Sequence, residues 1–406
     1  MVTSTLRPTR TLTLSGYYGF VLIGWNSVLI ASMIRSIEHD FRQSDAAFGL
    51  FYFLASLCYS IGALGGGFLA ERVGRRAVLL TSVVLLAIGL GGEGVAPSWI
   101  ALILAATAVN VGGGAIDGGV NGLFLDLYRH ARGGALNFLH LFFSVGALIA
   151  PLAVGVVLTA HVPWRTVLLA TAVGCLPLAA LLATVAMPTG RHDGEATPQV
   201  QRAELGGAEA SLLPFAGLAL SIGLYVATEM GISSWVVRLL AGVPVATATG
   251  VLSLFWGGLA AGRLISNWLA ERIDYAVFTV SCITLSSLAL VAAVLSASLP
   301  LTAALFALTG LFCGPIYPMI MALGGNLYPR RLAALSGALS GAAVAGSIIY
   351  PPLMGLMASR IGLRGGMIGA ALLGLPAALG IIGARAAARR GTTAQPGAHE
   401  ARQAGR

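Results

Sequence analysis

Long apolar runs dominate this sequence and decide what the chain can fold into. Between breaks marked by charged residues, Pro or Gly, we find twelve such runs, each of about 20 residues or more. A helix of about 20 apolar residues crosses the hydrocarbon core of a bilayer, which is roughly 30 Å thick. The runs, called spans 1 to 12 below, cover about 13–34, 46–69, 77–96, 99–124, 135–159, 165–187, 211–238, 246–269, 276–297, 301–327, 333–357 and 365–384. The sequence therefore predicts an all-α membrane protein with twelve transmembrane helices.

Composition agrees with a membrane protein and argues against several other classes. Only 10% of the 406 residues are charged, against about 25% in a soluble domain. The net charge of +9 comes from basic residues scattered through short loops, so we expect no nucleic-acid partner. We see no nucleotide-binding loop, metal-ligand spacing or nucleophile–base set, so we expect no enzyme, no metal and no cofactor. The four cysteines lie in four different apolar runs and are expected to be structural thiols: Cys58, Cys175, Cys282 and Cys313.

The distribution of arginine predicts how the chain crosses the membrane. With the N-terminus in the cytoplasm, 17 of the 24 basic residues fall on the cytoplasmic side and six on the outer side. Positive charge accumulates in cytoplasmic loops, so we expect both termini in the cytoplasm of a bacterial inner membrane. The polar segment 188–210 separates six spans from six. We therefore expect an N-terminal six-helix bundle at 1–187, a cytoplasmic linker at 188–210, a C-terminal six-helix bundle at 211–384 and a cytoplasmic tail at 385–406.

A short repeat links the two sets of spans. Leu-Ala-Glu-Arg occurs at 69–72 and again at 269–272, each time closing the second span of its half, and 62–74 can be aligned on 262–274. Internal duplication is typical of secondary transporters, in which two halves rock about a site between them. Charges at helix ends can meet helix dipoles and carboxylates of the other half. We expect the charged residues of these loops to gate the transporter: Glu71, Arg72, Arg75, Arg76, Glu271 and Arg272.

The first copy of the repeat resembles a family signature. Residues 67–76, Gly-Phe-Leu-Ala-Glu-Arg-Val-Gly-Arg-Arg, resemble the loop between the second and third helices of the major facilitator superfamily, with Glu71 in place of the usual Asp. The resemblance implies two pseudo-symmetric six-helix bundles, the major facilitator fold, and transport by alternating access. In that family spans 2, 5, 8 and 11 form the contact between the halves, and spans 1, 4, 7 and 10 line the cavity.

Three further stretches resemble one branch of that family. Residues 112–128, 132–151 and 224–235 are similar to the fucose permease-like proton:sugar symporters. The match departs at Asp117, where Glu is common, and at Asn26, where that branch can carry an acid. The resemblance implies proton-coupled symport of a small, sugar-like solute.

Two carboxylates inside apolar spans are the candidate proton carriers. Asp117 lies in span 4 and Glu229 in span 7. An acid in the middle of a membrane costs at least about 2.5–3.5 kcal/mol, so it calls for a function or a partner. Burial disfavours the charged form, so either residue could bind a proton. A buried ion pair or a helix-end hydrogen bond is the alternative interpretation. His140 could relay the proton, or could simply be hydrogen-bonded.

Polar stripes on the same spans predict where a solute would bind. In span 4, Asn110, Asp117 and Asn121 share one helix face, as do Asn137, His140 and Ser144 in span 5. In span 10, Pro315 and Pro318 flank Tyr317 and should bend the helix. The predicted substrate-binding residues are Asn26, Asn110, Asn121, Asn137, Tyr225, Trp235, Tyr317 and Asn326. Tyr18 and Trp25 are further candidates for the cavity wall, with lipid-facing packing as the alternative for Trp25.

Arg263 and the small-residue pairs complete the predicted architecture. Arg263 lies about as deep in its span as Asp117, so we hypothesise a gating ion pair between them across the halves. Extension of the Arg263 side chain to the membrane surface is the alternative. Gly62–Gly66, Gly258–Gly262 and Gly337–Gly341 are G-x-x-x-G pairs that allow close helix contact. They lie on spans 2, 8 and 11, which form the contact between the halves in the resembled family.

The leading functional prediction is a secondary active transporter for a small polar solute, with protons and membrane lipid as its other partners. We expect it to work as a monomer and as a proton-coupled symporter. The alternative is a proton-coupled antiporter that exports drugs or metabolites. The stretch 146–155, GALIAPLAVG, approaches the Gly-rich proline motif of exporters and supports that alternative. A membrane receptor or scaffold would need no pair of buried acids.

Overall fold

A computed structural model of the chain describes residues 10–128, 132–185, 187, 212–269, 272–328 and 332–393. Every regular element within those ranges is an α-helix. The helices are α1 Arg10–Ser27, α2 Leu29–Phe41, α3 Asp45–Val73, α4 Arg75–Gly94, α5 Trp99–Leu127, α6 Arg132–Thr159, α7 Trp164–Thr184, α8 Leu212–Leu239, α9 Val245–Leu269, α10 Tyr275–Leu295, α11 Leu299–Cys313, α12 Ile316–Leu327, α13 Leu332–Leu372 and α14 Gly374–Thr393.

Twelve membrane crossings follow from these helices. Eleven stretches of the described residues are long and apolar enough to span a bilayer, and the last of them covers Leu335–Ala388, 54 residues. At about 1.5 Å per residue that stretch is far too long for one crossing. Gly362 interrupts it with φ 70° and ψ 165°, a conformation that glycine adopts readily. The stretch therefore makes two crossings, and the predicted all-α, twelve-helix architecture is confirmed.

Two other spans consist of two helices each. Span 1 is α1 followed by α2, and span 10 is α11 followed by α12. The break in span 10 lies at Gly314 and Pro315, between Cys313 and Ile316. Proline has no N–H to donate to the preceding turn, which accounts for the interruption. Gly314 and Pro315 both keep helical φ and ψ, so the bend near Tyr317 stays a prediction.

The helices pack in two groups. The strongest contacts of α1–α7 are mostly with one another, as are those of α8–α14, and the largest contacts between the groups join α3 to α13 and α6 to α9. These helices are spans 2, 11, 5 and 8, which is the interface that the family resemblance implies. The division of the chain into four parts stays a prediction. Its last boundary does not coincide with a helix end, because α14 continues to Thr393, inside the segment 385–406 that we expected to be a tail. Its run of alanine and arginine favours a helix there.

The G-x-x-x-G glycines of spans 2 and 8 make close helix contacts, but inside each half. A Cβ at Gly62 would lie 2.2 Å from the carbonyl oxygen of Val111 in α5, and one at Gly258 would lie 2.0 Å from that of Ala307 in α11. Gly337 and Gly341 have no contact of this kind within 4 Å. The G-x-x-x-G pairs of spans 2, 8 and 11 therefore do not form the contact between the halves, and the prediction that they would is wrong. Across the halves, the close approaches are made by Gly49, Gly155 and Gly355.

These packing contacts repeat with a register that differs from the sequence alignment. The contact of Gly62 with Val111 in the first half is matched by that of Gly258 with Ala307 in the second. In the same way, the contact of Gly114 with Tyr59 is matched by that of Gly310 with Phe255. Each residue of the second half lies 196 positions after its counterpart in the first half. The predicted alignment of 62–74 on 262–274 is therefore wrong by four residues, about one helical turn, for the glycines inside the membrane. It holds at the loops, where α4 begins at Arg75 and α10 at Tyr275.

The crowding at Gly62 gives a stability prediction. We expect Gly62→Ala to lower the free energy of unfolding by about 1–3 kcal/mol, because the new methyl group would overlap the backbone of α5. Thermal unfolding of detergent-purified protein, followed by the reaction of its buried cysteines with a fluorogenic thiol reagent, measures the change. Gly65→Ala is the matched control, because a Cβ there meets no atom within 4 Å. Equal unfolding temperatures for the two variants would contradict the packing described.

Candidate functional site

One ion-pair cluster ties the two halves together at one membrane face. The Nε of Arg238, at the end of α8, lies 2.9 Å from Oε2 of Glu38 and 3.0 Å from Oδ1 of Asp45. Its Nη2 donates to Oε1 of Glu38 at 2.9 Å. Both acids belong to the first half of the chain. We call these three residues the latch, their membrane face the latch face, and the opposite face, where Gly74 joins α3 to α4, the loop face.

Further contacts between the halves lie toward the latch face. Arg35 donates to the carbonyl of Val243 at 2.8 Å, and the Tyr52 hydroxyl donates to that of Ser234 at 3.1 Å. Ser56 donates to the carbonyl of Ser347 at 3.4 Å. Together with the close approach of Gly49 to Pro352 and Gly355, these contacts seal the space between the halves on that side.

Trp235 belongs to this seal. Its side chain is fully buried, its indole N–H donates to the carbonyl of Pro351 at 2.9 Å, and its ring packs against that of Tyr52. The prediction that Trp235 binds the substrate is therefore not supported by its position. It lies six residues beyond Glu229, which at 100° per residue turns it to a different face of α8.

At the loop face, the charges of the first repeat contact their own half. Arg75 pairs with Asp126 of α5, Arg76 donates to the carbonyl of Ala183 in α7, and Arg72 lies over the ring of Phe68. Within the described residues, the expected contacts of Arg72, Arg75 and Arg76 with the other half are not formed in this conformation. The side chain of Glu71, and Glu271 as a whole, lie outside the described residues, and the gating role of Arg272 stays a prediction.

The glycines of α3 and α13 that lie toward the loop face make no close contact. A Cβ at Gly65 or Gly67 of α3, or at Gly337 or Gly341 of α13, would meet nothing within 4 Å. Nearer the latch face the same two helices touch through Gly49 and Gly355. Within the described residues, the halves are thus closed at the latch face, and none of these four glycines meets the other half toward the loop face.

Asp117 lies in the first half with neutral partners. Its Oδ1 accepts a hydrogen bond from Nδ2 of Asn121 at 2.7 Å, and the Tyr59 hydroxyl of α3 lies within hydrogen-bond reach. Gly114 and Gly118 rest against the backbone of α3 and bring Tyr59 close. Oδ1 of Asn121 is buried without a hydrogen-bond partner. This cluster therefore offers a carboxylate and a free amide oxygen.

Glu229 lies in the second half, within electrostatic range of Arg263. Glu229 and Tyr225 are both buried, at 5% and 4% exposure, and the charge of Arg263 in α9 acts on both. Nη1 of Arg263 donates to Oγ of Ser144 in α6 at 2.9 Å, a hydrogen bond between the halves. The Tyr225 hydroxyl lies next to Glu229 without a well-formed hydrogen bond.

The hypothesised ion pair of Asp117 with Arg263 is absent from this structure. Asp117 is held by Asn121 and Tyr59, and Arg263 is held by Ser144. The alternative, extension to the membrane surface, does not describe Arg263 either, since it reaches across to α6. Spacing along the sequence gives only the depth along a helix, whereas the direction around each helix decides which groups meet.

Tyr317 and His140 lie between the two clusters. The Tyr317 hydroxyl is 3.3 Å from Oγ of Ser340 and is close enough to Asp117, Arg263 and Glu229 for the charges of all three to act on it. His140 of α6 is exposed although its ring packs edge-on against the buried Phe20 and lies near Arg263. An exposed histidine in that position faces the opening between the halves.

The other polar residues predicted to bind the solute lie at the margin of the candidate site. Asn110 donates to the carbonyl of Ala106 in its own helix at 2.8 Å, Asn26 is half-buried at the end of α1, and Asn326 is exposed near the end of α12. The Asn137 side chain lies outside the described residues. Tyr18 and Trp25 were expected at the cavity wall but bond to α7 within the first half, through the carbonyl of Gly174 and the hydroxyl of Thr171.

Sequence reasoning missed two functional candidates, Arg238 and Tyr59, and one further buried acid. Arg238 stands at the end of a span, and nothing in the sequence joins it to Glu38 and Asp45, which are 200 and 193 positions away. Tyr59 looked like one aromatic among many. Glu93, buried at 2% exposure in α4, could have been found by the rule that singled out Asp117 and Glu229.

Relatives of the chain agree with this architecture. The Major Facilitator Superfamily model matches residues 16–273 and 210–404. The uncharacterized MFS-type transporter YfkL of Bacillus subtilis (strain 168) is 23% identical over 367 residues, which cover 88% of this chain and 92% of the relative. The sodium-dependent glucose transporter 1A of Mus musculus is 24% identical over 136 residues, 34% of this chain and 32% of the relative.

Solved structures share the fold. A bacterial homolog of the human lysosomal transporter Spinster, inward-facing and occupied, has a TM-score of 0.77 at 18% identity, covering 92% of this chain and 96% of its own. A D-xylose-proton symporter has a TM-score of 0.73 at 16% identity, covering 91% and 96%. The fold and the family model are those of membrane transporters that work by alternating access. The chain belongs to the Major Facilitator Superfamily.

Proposed function

We propose that this protein is a proton-coupled symporter that imports a small, sugar-like polar solute. The observation that carries the proposal is the placement of two acids, Asp117 and Glu229, between halves that are closed at the latch face. A transporter has to present its binding groups to one compartment at a time, and titratable groups in that place can couple the change to a proton.

The residues around the acids have distinct proposed roles. Asp117 and Glu229 are the candidate proton carriers, and His140, exposed to the opening, is the candidate relay. Hydroxyl groups of a sugar fit the unpartnered Asn121 Oδ1 and Tyr225 hydroxyl, because a buried polar group without a partner gains most from a ligand that supplies one. The wider predicted set for the solute comprises Asn26, Asn110, Asn137, Tyr317 and Asn326.

The orientation and the domain division are part of the same proposal. The arginine excess favours an orientation with the loop face, and with it both termini, on the cytoplasmic side of a bacterial inner membrane. The resemblance to the fucose permease-like symporters and the fold shared with a D-xylose-proton symporter both favour a sugar. The two bundles, 1–187 and 211–384, would then rock about Asp117 and Glu229 with 188–210 as their linker.

Uptake into proteoliposomes tests the proposal. With purified protein and radiolabelled D-xylose, D-glucose and L-fucose as probes, we expect at least one sugar to accumulate when the outer medium is made more acidic. With one proton per solute, each pH unit sustains about tenfold accumulation. Uptake that a pH gradient leaves unchanged would contradict symport. Uptake driven by the opposite gradient would support the antiporter, the alternative raised by residues 146–155.

A further inference from the structure

One face of α9 is turned toward the other half of the molecule. The ring of Trp256 on this face packs against that of Phe143 in α6, with centroids 5.7 Å apart, and its indole N–H donates to Oγ of Ser233 in α8 at 3.1 Å. Arg263 follows Trp256 by seven residues, about two helical turns, and so returns to the same face. Its hydrogen bond to Ser144 of α6 agrees with that direction. The guanidinium therefore lies between the halves, about 10 Å nearer the loop face than Trp256.

The guanidinium of Arg263 has no carboxylate partner among the described residues. Four other arginines pair directly with an Asp or Glu: Arg75, Arg165, Arg238 and Arg385. Neither Asp117 nor Glu229 brings a carboxylate oxygen within 4 Å of Arg263 in the described part of the chain. Arg263 is half-buried and stays protonated in a protein. A charge that is partly withdrawn from water gains from an opposite charge brought by a ligand.

Ser144 holds the guanidinium without neutralising it. The Ser144 side chain is fully buried, and its hydroxyl donates to the carbonyl of His140 at 3.2 Å. Its oxygen accepts from Nη1 of Arg263 at 2.9 Å. A guanidinium has five N–H groups, so this hydrogen bond fixes the side chain and leaves the others for a ligand. Their planar arrangement matches the two oxygens of a carboxylate.

A second polar group lies at the same depth in the membrane. Helices α8 and α9 run antiparallel, and the hydrogen bond between Trp256 and Ser233 fixes their register. Tyr225 precedes Ser233 by eight residues and Arg263 follows Trp256 by seven, so both lie about 10–12 Å from that bond toward the loop face. The Tyr225 side chain is buried, and its hydroxyl has no hydrogen-bond partner among the described residues. A ligand rich in oxygen atoms satisfies both groups.

We propose that Arg263 binds a carboxylate of the solute, so that the protein takes a sugar acid more tightly than the neutral sugar of the same shape. The proposal rests on the proposed function and names the solute class of that same site. A neutral sugar supplies the hydroxyls but leaves the guanidinium without an opposite charge, and it binds more weakly. One guanidinium balances one negative charge, whereas a phosphate ester carries about two, so the site favours a carboxylate.

Equilibrium binding to purified protein at constant pH tests the preference. Each acid is paired with the neutral sugar from which it differs at one carbon: D-glucuronate with D-glucose, and D-galacturonate with D-galactose. The Kd of each is obtained from thermal stabilisation. We expect at least one acid to bind about tenfold or more tightly than its neutral partner, because hydrogen bonds between charged groups are the stronger ones. Neutral sugars that bind as tightly as their acids, or the failure of both acids to bind, would overturn the proposal.

A phosphate ester distinguishes the two kinds of anion. D-glucose 6-phosphate carries its charge at the same carbon as D-glucuronate. We expect it to bind more weakly than D-glucuronate, and tighter binding would overturn the assignment of the site to a carboxylate.

Variants of Arg263 test which residue provides the preference. We expect Arg263→Gln to raise the Kd of the preferred acid by about 10- to 100-fold and to change that of the neutral sugar little. Arg263→Lys keeps the charge without the planar fork, so it should retain part of the preference, and it carries the test if the glutamine variant does not fold. Arg385→Gln is the matched control, because Arg385 of the same half already pairs with Asp274 at 2.9 Å. A preference of wild-type size in both Arg263 variants would refute the assignment.

The binding experiment is independent of the uptake experiment. If no sugar accumulates under a pH gradient, symport fails but a preference for the acid at equilibrium stands. If acid and neutral sugar bind equally, the role of Arg263 fails but symport of a neutral sugar stands.

Discussion

Replacement of Asp117 by asparagine is expected to abolish proton-driven accumulation of the solute. With one proton per solute, a gradient of about two pH units sustains about 100-fold accumulation, and the variant should stop at a ratio of about one. Asparagine keeps the size of the side chain and can still bond to Asn121 and Tyr59, but it cannot release or bind the proton. Exchange of labelled for unlabelled solute at equal pH should continue, because it needs no net proton movement.

A second buried acid provides the control for this experiment. Glu93 in α4 is as deeply buried as Glu229 but lies among helices of the first half, away from the opening. Glu93→Gln should therefore leave the accumulation ratio at the wild-type value. The ratio is measured in proteoliposomes with the labelled sugar that the wild type accumulates. If the Asp117→Asn variant accumulated the labelled sugar to the wild-type ratio, Asp117 would not be the residue that couples transport to the proton.

Replacement of Arg238 by glutamine is expected to open the latch face. The guanidinium holds two acids of the other half, Glu38 and Asp45, at 2.9 and 3.0 Å. Without it, the two carboxylates lose their shared partner and repel each other. A coupling energy of about 1–3 kcal/mol would change the ratio of the two conformations by about 5- to 150-fold. The population closed at the latch face should decrease accordingly.

Thiol labelling from the latch face measures that change. Ser56→Cys, in a background without the native cysteines, places a reporter at the seal between α3 and α13. We expect a membrane-impermeant reagent to label it much faster in Arg238→Gln than in the parent. Arg165→Gln is the matched control, because Arg165 also pairs with an acid at this face, Asp40 at 2.6 Å, but within one half. Equal acceleration by both variants would show that the latch has no special role.

The overall fold could be predicted because it follows from a local property of the sequence, the length of its apolar runs. A bilayer requires apolar helices of a certain length, and twelve of them can be counted in the sequence. The repeat alignment went wrong by about one turn since Leu-Ala-Glu-Arg lies at the loops, where a matching tetrapeptide does not report on helix packing. Gly62 and Gly258, which do pack equivalently, carry the correct register inside the membrane.

The site could be predicted only in part. Asp117, Glu229 and Tyr317 stand out because polar groups are costly in apolar spans, and the structure brings them near one another. The partner of Arg263 could not be predicted, because it depends on how α9 is rotated against α6 and α8. The position of Trp235 could have been anticipated from its angle to Glu229 around α8.

The central claim is that the two halves close one face while they open the other, around the acids between them. Spin-label distances test it directly, with one pair at the latch face, Arg42→Cys and Ala241→Cys, and one at the loop face, Gly67→Cys and Gly337→Cys. In the parent protein we expect a short distance at the latch face and a long one at the loop face. In Arg238→Gln we expect a second population, longer at the latch face and shorter at the loop face. Distances that stay fixed at both faces, or lengthen at both together, would contradict the account.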